Sequence, residues 1–210
     1  MADPHLASER PRPIPLPVLF ESIPELLRAA CRWVVWDYEW RQSKNGKPGT
    51  WAKPPFIATA LDRGADPTDP TTWRSFSEAR AAYEDRTCDG IGFVLGDGWV
   101  GFDSDGNDAS DHVGLLNSYT ERSPSGLGVH SIMLGTKPGT RCRTGPYELY
   151  DHGRYFTVTG HHIIGMPTAV EERTTEIAAL YARLFPSVKI AASRLPDRFA
   201  GDGCNVGQLP

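Results

Sequence analysis

The stretch Ile91-Gly92-Phe93-Val94-Leu95, the turn Gly96-Asp97-Gly98 and the run ending in Gly101-Phe102-Asp103-Ser104-Asp105 decide the fold. Short apolar runs bounded by glycine are typical of buried strands, so we predict strands at 91–95 and 99–103, paired through a tight turn. Side chains alternate along a strand, which places Asp103 and Asp105 on one face. Neighbouring carboxylates repel each other unless a cation lies between them, so the end of the second strand is either a cation site or an ordinary polar turn, for which Asp-Ser-Asp-Gly-Asn-Asp is also typical.

Other elements follow on both sides of this stretch. Aromatic and β-branched residues predict strands, and apolar residues spaced three and four apart predict helices. The predicted strands cover residues 32–40, 51–57, 129–134, 146–150 and 154–159. The predicted helices cover residues 23–31, 73–83, 111–118 and 171–185. Several short strands with three or four helices indicate a mixed α+β fold.

Composition sets the broad class and the domain limits. With 210 residues, 40% hydrophobic and 23% charged, the chain is typical of a globular protein. No apolar run reaches the roughly 18–20 residues of a membrane helix, and no signal-type segment is found, so we expect a cytoplasmic protein without membrane contact. We predict a proline-rich, disordered lead-in at 1–17, a folded domain at 18–186 and a linker or tail at 187–210.

Charge and cysteine usage exclude two further classes. The net charge of −4 argues against a protein that coats nucleic acid by bulk attraction, although basic residues cluster locally at 41–53 and 137–154. Cysteines occur at four isolated positions and form no C-x-x-C pair, so we expect no zinc site.

Two more segments carry candidate site residues. Residues 123–130 form a glycine-rich turn that ends in His130, and such a turn either binds phosphate or is an ordinary hairpin connection. A third carboxylate is offered by Glu148 or by Asp151. Because alternation places these two on opposite faces of a strand, only one of them can share a site with Asp103 and Asp105.

Six motifs, in order, resemble the phage and plasmid primase-polymerases of the archaeo-eukaryotic primase superfamily. They span about residues 33–185. The motifs are Trp51-Ala52-Lys53-Pro54, Asp69-Pro70-x-x-Trp73, the 89–95 run, the Asp103–Asp105 pair, the segment from Asn117 to Gly128, and the segment from Glu148 to His161.

This resemblance implies an archaeo-eukaryotic primase-like fold, with a distorted RNA-recognition-like catalytic sheet and an N-terminal α/β part. It implies that Asp103 and Asp105 are the metal ligands of the first motif and Glu148 the carboxylate of the third. The second motif, small-x-His in the superfamily, falls on Ser125 to His130 and would grip the incoming triphosphate. Many phage relatives have a basic residue where this chain has His130.

We therefore predict a DNA primase or DNA polymerase that transfers NTP or dNTP to a 3′-hydroxyl on a single-stranded DNA template. Two Mg²⁺ or Mn²⁺ ions would be held by Asp103, Asp105 and Glu148. The predicted nucleotide-binding residues are Ser123, Ser125, Gly126, Gly128, His130, Arg154 and His161. The predicted template-binding residues are Lys137, Arg141 and Arg143. A replicative helicase, as a further domain or a separate protein, would be a partner.

Two other classes remain open. A catalytically inactive replication-origin module would bind DNA without incorporating nucleotides. A metal-dependent nuclease also uses paired carboxylates, but it would degrade DNA without nucleoside triphosphates.

Overall fold

The computed structural model describes residues 11–43, 48–105 and 109–186, and it confirms a mixed α+β fold with antiparallel sheets. The strands of the described chain are β1 (Trp33–Trp36), β2 (Glu39–Arg41), β3 (Thr50–Ala52), β4 (Pro55–Ile57), β5 (Ala60–Gly64), β6 (Gly90–Val94), β7 (Trp99–Ser104), β8 (Thr120–Arg122), β9 (Val129–Leu134), β10 (Arg143–Thr144), β11 (Tyr147–Tyr150) and β12 (Tyr155–Val158). Its α-helices are α1 (Glu25–Ala29), α2 (Phe76–Glu84), α3 (Ser110–Leu116) and α4 (Thr174–Leu184).

The first sheet has the strand order β12-β6-β1-β4-β5. Both faces of β1 are buried, which explains its unbroken Trp-Val-Val-Trp sequence. Helix α2 covers one face, where the ring of Phe76 lies 5.0 Å from that of Trp33. This helix begins at a capping box, in which Ser75 and Glu78 bond to each other's backbone N–H groups. The packed helix and the buried strands make this sheet a rigid support.

The second sheet has the order β10-β11-β7-β9-β8, and it presents a different chemistry on each face. Val100 and Phe102 of β7 are fully buried in a core that includes Leu116 of α3 and Leu180 of α4. Because side chains alternate, Asp103 points to the opposite face, toward the first sheet. The site therefore lies between the two sheets.

The predicted pairing of the strands at 91–95 and 99–103 is wrong, since β6 and β7 belong to different sheets. Both edges of β6 are already occupied, by β1 on one side and β12 on the other. The turn at 96–98 has positive φ at all three residues and leads the chain from the first sheet to the second. Between the two strands there is an isolated bridge that joins Gly96 to Trp99. The Asp103 strand is thus the centre of a second sheet.

The predicted strand at 51–57 is divided in two. β3 pairs with β2, whereas β4 pairs with β1 in the first sheet. Lys53 and Pro54 connect them, and a proline lacks the N–H group that a continuous strand would need. The interruption turns this segment toward the space between the sheets.

The proline-rich lead-in was predicted to be disordered over residues 1–17. Residues 1–10 lie outside the described residues, as does the predicted tail at 187–210. From residue 11 onward the segment is bonded to the domain: the N–H of Leu16 donates to Pro124, and that of Leu19 donates to Thr159, both at 2.8 Å. These two backbone hydrogen bonds therefore hold the end of the proline-rich segment against the 123–128 turn and the residue after β12.

Within the described ranges, every helix is too short or too polar to cross a lipid bilayer. The described cysteines, at positions 31, 88 and 142, are free thiols.

Candidate functional site

Asp103 and Glu148 lie directly opposite each other on β7 and β11, as Cα partners in the antiparallel register. Their side chains are 20% and 13% exposed. The pKa of Asp103 is raised to about 7, first by burial and then by the negative charges of Asp105 and Glu148. Its Oδ1 atom is buried and accepts no hydrogen bond from any described residue. Two nearby carboxylates and an unsatisfied oxygen make this position favourable for a cation.

His130 lies on the other side of Asp103, as its register partner on β9. Its Nδ1 is 2.9 Å from the carbonyl oxygen of Thr157 and therefore carries the hydrogen. Its Nε2 faces Asp103 Oδ1 at 3.5 Å. Burial and the positive charge of Lys53 lower the pKa of His130 to about 4. The imidazole is therefore neutral at pH 7, and a lone pair points toward the carboxylate.

Two arginines surround Glu148. Arg143 Nε lies 3.1 Å from Glu148 Oε1, and Arg154 Nη2 lies 3.8 Å from Oε2. Arg154 also donates to the hydroxyl of Tyr150 and stacks on its ring at 4.7 Å. Both guanidinium groups are about half exposed, so they can also contact an anionic ligand, and Arg154 lines the cleft.

A cleft of about 480 Å³ between the two sheets is lined by Asp103, His130, Glu148 and Arg154. This volume is typical of a small-molecule site. Strand β12 of the first sheet contributes Tyr155 and Thr157. The β2–β3 pair contributes Arg41, the connection between β3 and β4 contributes Lys53, and the segment after β5 contributes Pro67. The second sheet contributes the Asp103, Glu148 and His130 side chains, so a ligand here would touch both sheets.

Lys53 is a site residue that was not predicted from the sequence. Its side chain enters the cleft, where burial lowers its pKa, and the charges of Asp103 and Asp105 oppose that change. The sequence signals were its place in the Trp51–Pro54 motif and in the basic cluster at 41–53. Neither could place it next to β7, because that approach depends on the break at Pro54. Thr157 was missed for a similar reason, since it acts through its backbone carbonyl.

The 123–128 turn directs its polar groups inward. The hydroxyl of Ser123 accepts from the N–H of Gly128, that of Ser125 accepts from Leu127, and the N–H of Gly126 donates to the Ser123 carbonyl. These groups, predicted to hold phosphate, thus bond within the turn, and the turn does not line the cleft. The turn packs directly against β7, the strand of Asp103. The approach is so close at Gly128 that an added Cβ atom would lie 2.6 Å from a β7 carbonyl oxygen.

Other predicted residues have partners away from the cleft. The Nε2 atom of His161 is 2.8 Å from the carbonyl oxygen of Pro17, so its ring is directed to the N-terminal segment. The Lys137 side chain is fully enclosed, donates to the carbonyls of Gly139 and Arg141, and lies 3.5 Å from Asp151. Template contact by Lys137 does not agree with this burial.

The remaining basic residues stay at the surface. The Arg141 guanidinium stacks on Phe185 at 4.8 Å, and Arg143 pairs with Glu148 at the edge strand β10. Asp151, the rival third carboxylate, pairs with Lys137 and His152 and does not line the cleft. Glu148 is therefore the carboxylate that shares the cleft with Asp103.

A ready-made metal cage is not present in the described ranges, where no three His, Cys, Asp or Glu side chains form a group that could hold an ion. Asp105 ends the described strand, next to residues 106–108, which the structure does not describe. Oxygen donors and the orphaned Asp103 Oδ1 nevertheless suit a hard divalent cation such as Mg²⁺ or Mn²⁺.

No family model matches the chain. A comparison with curated proteins finds a DNA primase-polymerase of Nitratiruptor phage NrS-1, 32% identical over 147 residues. The matched region covers 61% of this chain and 19% of the phage protein, so the chain spans about a fifth of that relative's length. This similarity confirms the resemblance to phage primase-polymerases that the sequence motifs indicated.

Proposed function

We propose that this domain catalyses template-directed nucleotidyl transfer, extending a nucleic-acid 3′-hydroxyl with a nucleoside triphosphate on a DNA template. One observation carries the proposal: Asp103 and Glu148, from distant parts of the chain, are register partners in a cleft of nucleotide size. The similarity to a phage DNA primase-polymerase agrees with this chemistry. We further propose that the two sheets adopt the archaeo-eukaryotic primase fold.

Asp103, Asp105 and Glu148 would hold one or two Mg²⁺ or Mn²⁺ ions. When bound, such ions lower the pKa of an attacking hydroxyl and neutralise the charge that develops on a leaving pyrophosphate. Arg143 forms an ion pair with Glu148. When Glu148 holds a metal ion, the Arg143 guanidinium would leave this carboxylate and bind a phosphate oxygen of the nucleotide or template.

His130 would act as a neutral residue. Thr157 fixes the Nδ1 hydrogen, and the free Nε2 lone pair faces the carboxylate side of the cleft. A neutral imidazole adds no positive charge that would compete with a cation at Asp103. Arg154, in the connection between β11 and β12, lines the cleft and is well placed to bind a phosphate oxygen.

The template would approach from the β10 side, where Arg141 and Arg143 are exposed beside the cleft. Lys137 has no part in this proposal, because its ammonium is enclosed by backbone carbonyls. Ser123, Ser125, Gly126 and Gly128 would position β7 and β9 from beside the cleft. His161 would do the same through the N-terminal segment.

Primer extension tests the proposal directly. The purified chain is incubated with a single-stranded DNA template, a labelled primer, Mg²⁺ or Mn²⁺, and either dNTPs or NTPs. The Asp103→Ala variant should lose extension by at least about a thousandfold while remaining folded, whereas Asp62→Ala, an exposed acid outside the cleft, should match the unchanged chain. Extension by Asp103→Ala at the unchanged rate would refute the assignment, and primer degradation without triphosphates would favour a nuclease instead.

A further inference from the structure

We propose that Lys53 binds the polyphosphate of the incoming nucleotide, so that the nucleotide connects the two sheets. The inference rests on the proposed function and assigns a new substrate-contacting residue to the same cleft. Lys53 belongs to the connection between β3 and β4, on the side of the first sheet. Across the cleft lie Asp103 and Glu148 of the second sheet.

The position of Lys53 is fixed by its surroundings. Its carbonyl oxygen accepts a hydrogen bond from the hydroxyl of Tyr155, a residue of β12 that lines the same cleft. Its Nζ atom lies 5.8 Å from the ring centroid of Trp36, a fully buried residue of β1. Pro54 follows immediately and restricts the backbone. Such a lysine loses little entropy on binding, unlike a lysine on an open surface.

Within the described ranges, the ammonium group of Lys53 forms no hydrogen bond and has no carboxylate within ion-pair distance. Its neighbours in the partly desolvated cleft are the ring of Trp36 and the more distant charges of Asp103 and Asp105. Lys137 provides the contrast, because two carbonyl oxygens, a thiol and a carboxylate surround its ammonium. A partly desolvated cation whose carboxylate neighbours lie beyond ion-pair distance is incompletely compensated, so a closer anion would stabilise it. The contrast indicates that Lys53 is reserved for a ligand that brings its own negative charge.

The charges around the cleft identify the chemical class of that ligand. Lys53, Arg41 and Arg154 give positive charge to the lining, around the acidic pair of Asp103 and Glu148. A polyanion accompanied by a divalent cation matches both kinds of charge at once. A nucleoside triphosphate has this character, and a lysine ammonium is a common phosphate ligand.

Steady-state primer extension with Lys53→Met tests the inference, with Arg183→Met as the control. Arg183 is exposed on α4 and lies outside the cleft, so one positive charge is again replaced by a methionine, but away from the site. The Lys53→Met change should raise KM for the nucleotide by roughly 10- to 100-fold, the range expected for a lost hydrogen bond to a charged group. The kcat value should fall less, Lys53→Arg should recover part of the loss, and Arg183→Met should leave KM unchanged.

Calorimetric binding of a non-hydrolysable triphosphate and of the matching nucleoside, with Mn²⁺ and without DNA, gives a second readout. The Lys53→Met change should weaken triphosphate binding by a similar factor and leave nucleoside binding within about twofold. Equal weakening of both ligands, or a KM within about twofold of the unchanged chain, would overturn the inference while primer extension persists. Absence of extension with Lys53-dependent triphosphate binding would refute the proposed polymerase function alone. Absence of triphosphate binding by the unchanged chain would refute both.

Discussion

Replacing Asp103 by asparagine should stabilise the fold, most strongly at alkaline pH. The pKa of Asp103 is raised from its ordinary value of 3.8 to about 7, mainly by burial and then by Asp105 and Glu148. Between these pH values the folded state keeps a proton that the unfolded state has lost, so the free energy of unfolding decreases as the pH rises. Above pH 7 the Asp103 carboxylate is charged in both states, and the folded state carries the full free-energy cost of a buried charge.

The size of this cost follows from the same two values. Each pKa unit corresponds to about 1.36 kcal/mol, so the rise from 3.8 to about 7 gives an upper limit of about 4 kcal/mol at pH 8. At pH 5 only the interval from 3.8 to 5 contributes, which is about 1.6 kcal/mol. An asparagine side chain has nearly the same volume as an aspartate but no charge. The gain of the Asp103→Asn variant should therefore be about two and a half times as large at pH 8 as at pH 5.

Urea denaturation in EDTA, followed by tryptophan fluorescence at pH 5 and pH 8, measures this difference. Asp62→Asn is the control, because Asp62 is exposed and its replacement should change stability by less than about 0.5 kcal/mol. Mn²⁺ should stabilise the unchanged chain more than the Asp103→Asn variant. A gain that is equal at the two pH values, or a loss at pH 8, would contradict the electrostatic account of this site.

Three further changes test other parts of the structure. Arg141→Ala with Arg143→Ala should weaken single-stranded DNA binding, and fluorescence anisotropy should give a salt slope smaller by about 0.7 for each lost phosphate contact; an unchanged slope would remove both from the template path. Lys137→Met should instead lower the free energy of unfolding by about 3 kcal/mol in urea, since it leaves buried acceptors unpaired, and equal stability would contradict its burial. Gly128→Ala should lower the melting temperature by several degrees because its Cβ would meet a β7 carbonyl at 2.6 Å, whereas Gly114→Ala, in open helical space, should not.

Several features of the site were predictable because they are local. Alternation along one strand placed Asp103 on the face opposite Phe102, and it placed Glu148 opposite the buried Leu149. The α4 helix also followed from apolar spacing, with Ile177 and Leu180 in the core. Such patterns depend only on the period of a single element, so the sequence determines them before any tertiary contact forms.

Tertiary structure decided which elements meet. β6 and β7 are adjacent in the chain and were predicted to pair, but β6 had both edges filled, and β7 joined β9 and β11 instead. Lys53 entered the cleft only because β3 and β4 pair with different partners. Long-range pairing depends on which strand edges remain free, and no local pattern reports this.

The sequence by itself determined the mixed α+β class, the acidic face of β7 and the resemblance to phage primase-polymerases. Only the tertiary structure decided that Glu148 is the register partner of Asp103 and that Lys137 is buried. It also decided that the polar groups of the 123–128 turn form hydrogen bonds within the turn. The physical reason is that a strand's period fixes the direction of each side chain, whereas burial and bonding partners depend on elements far away in the chain.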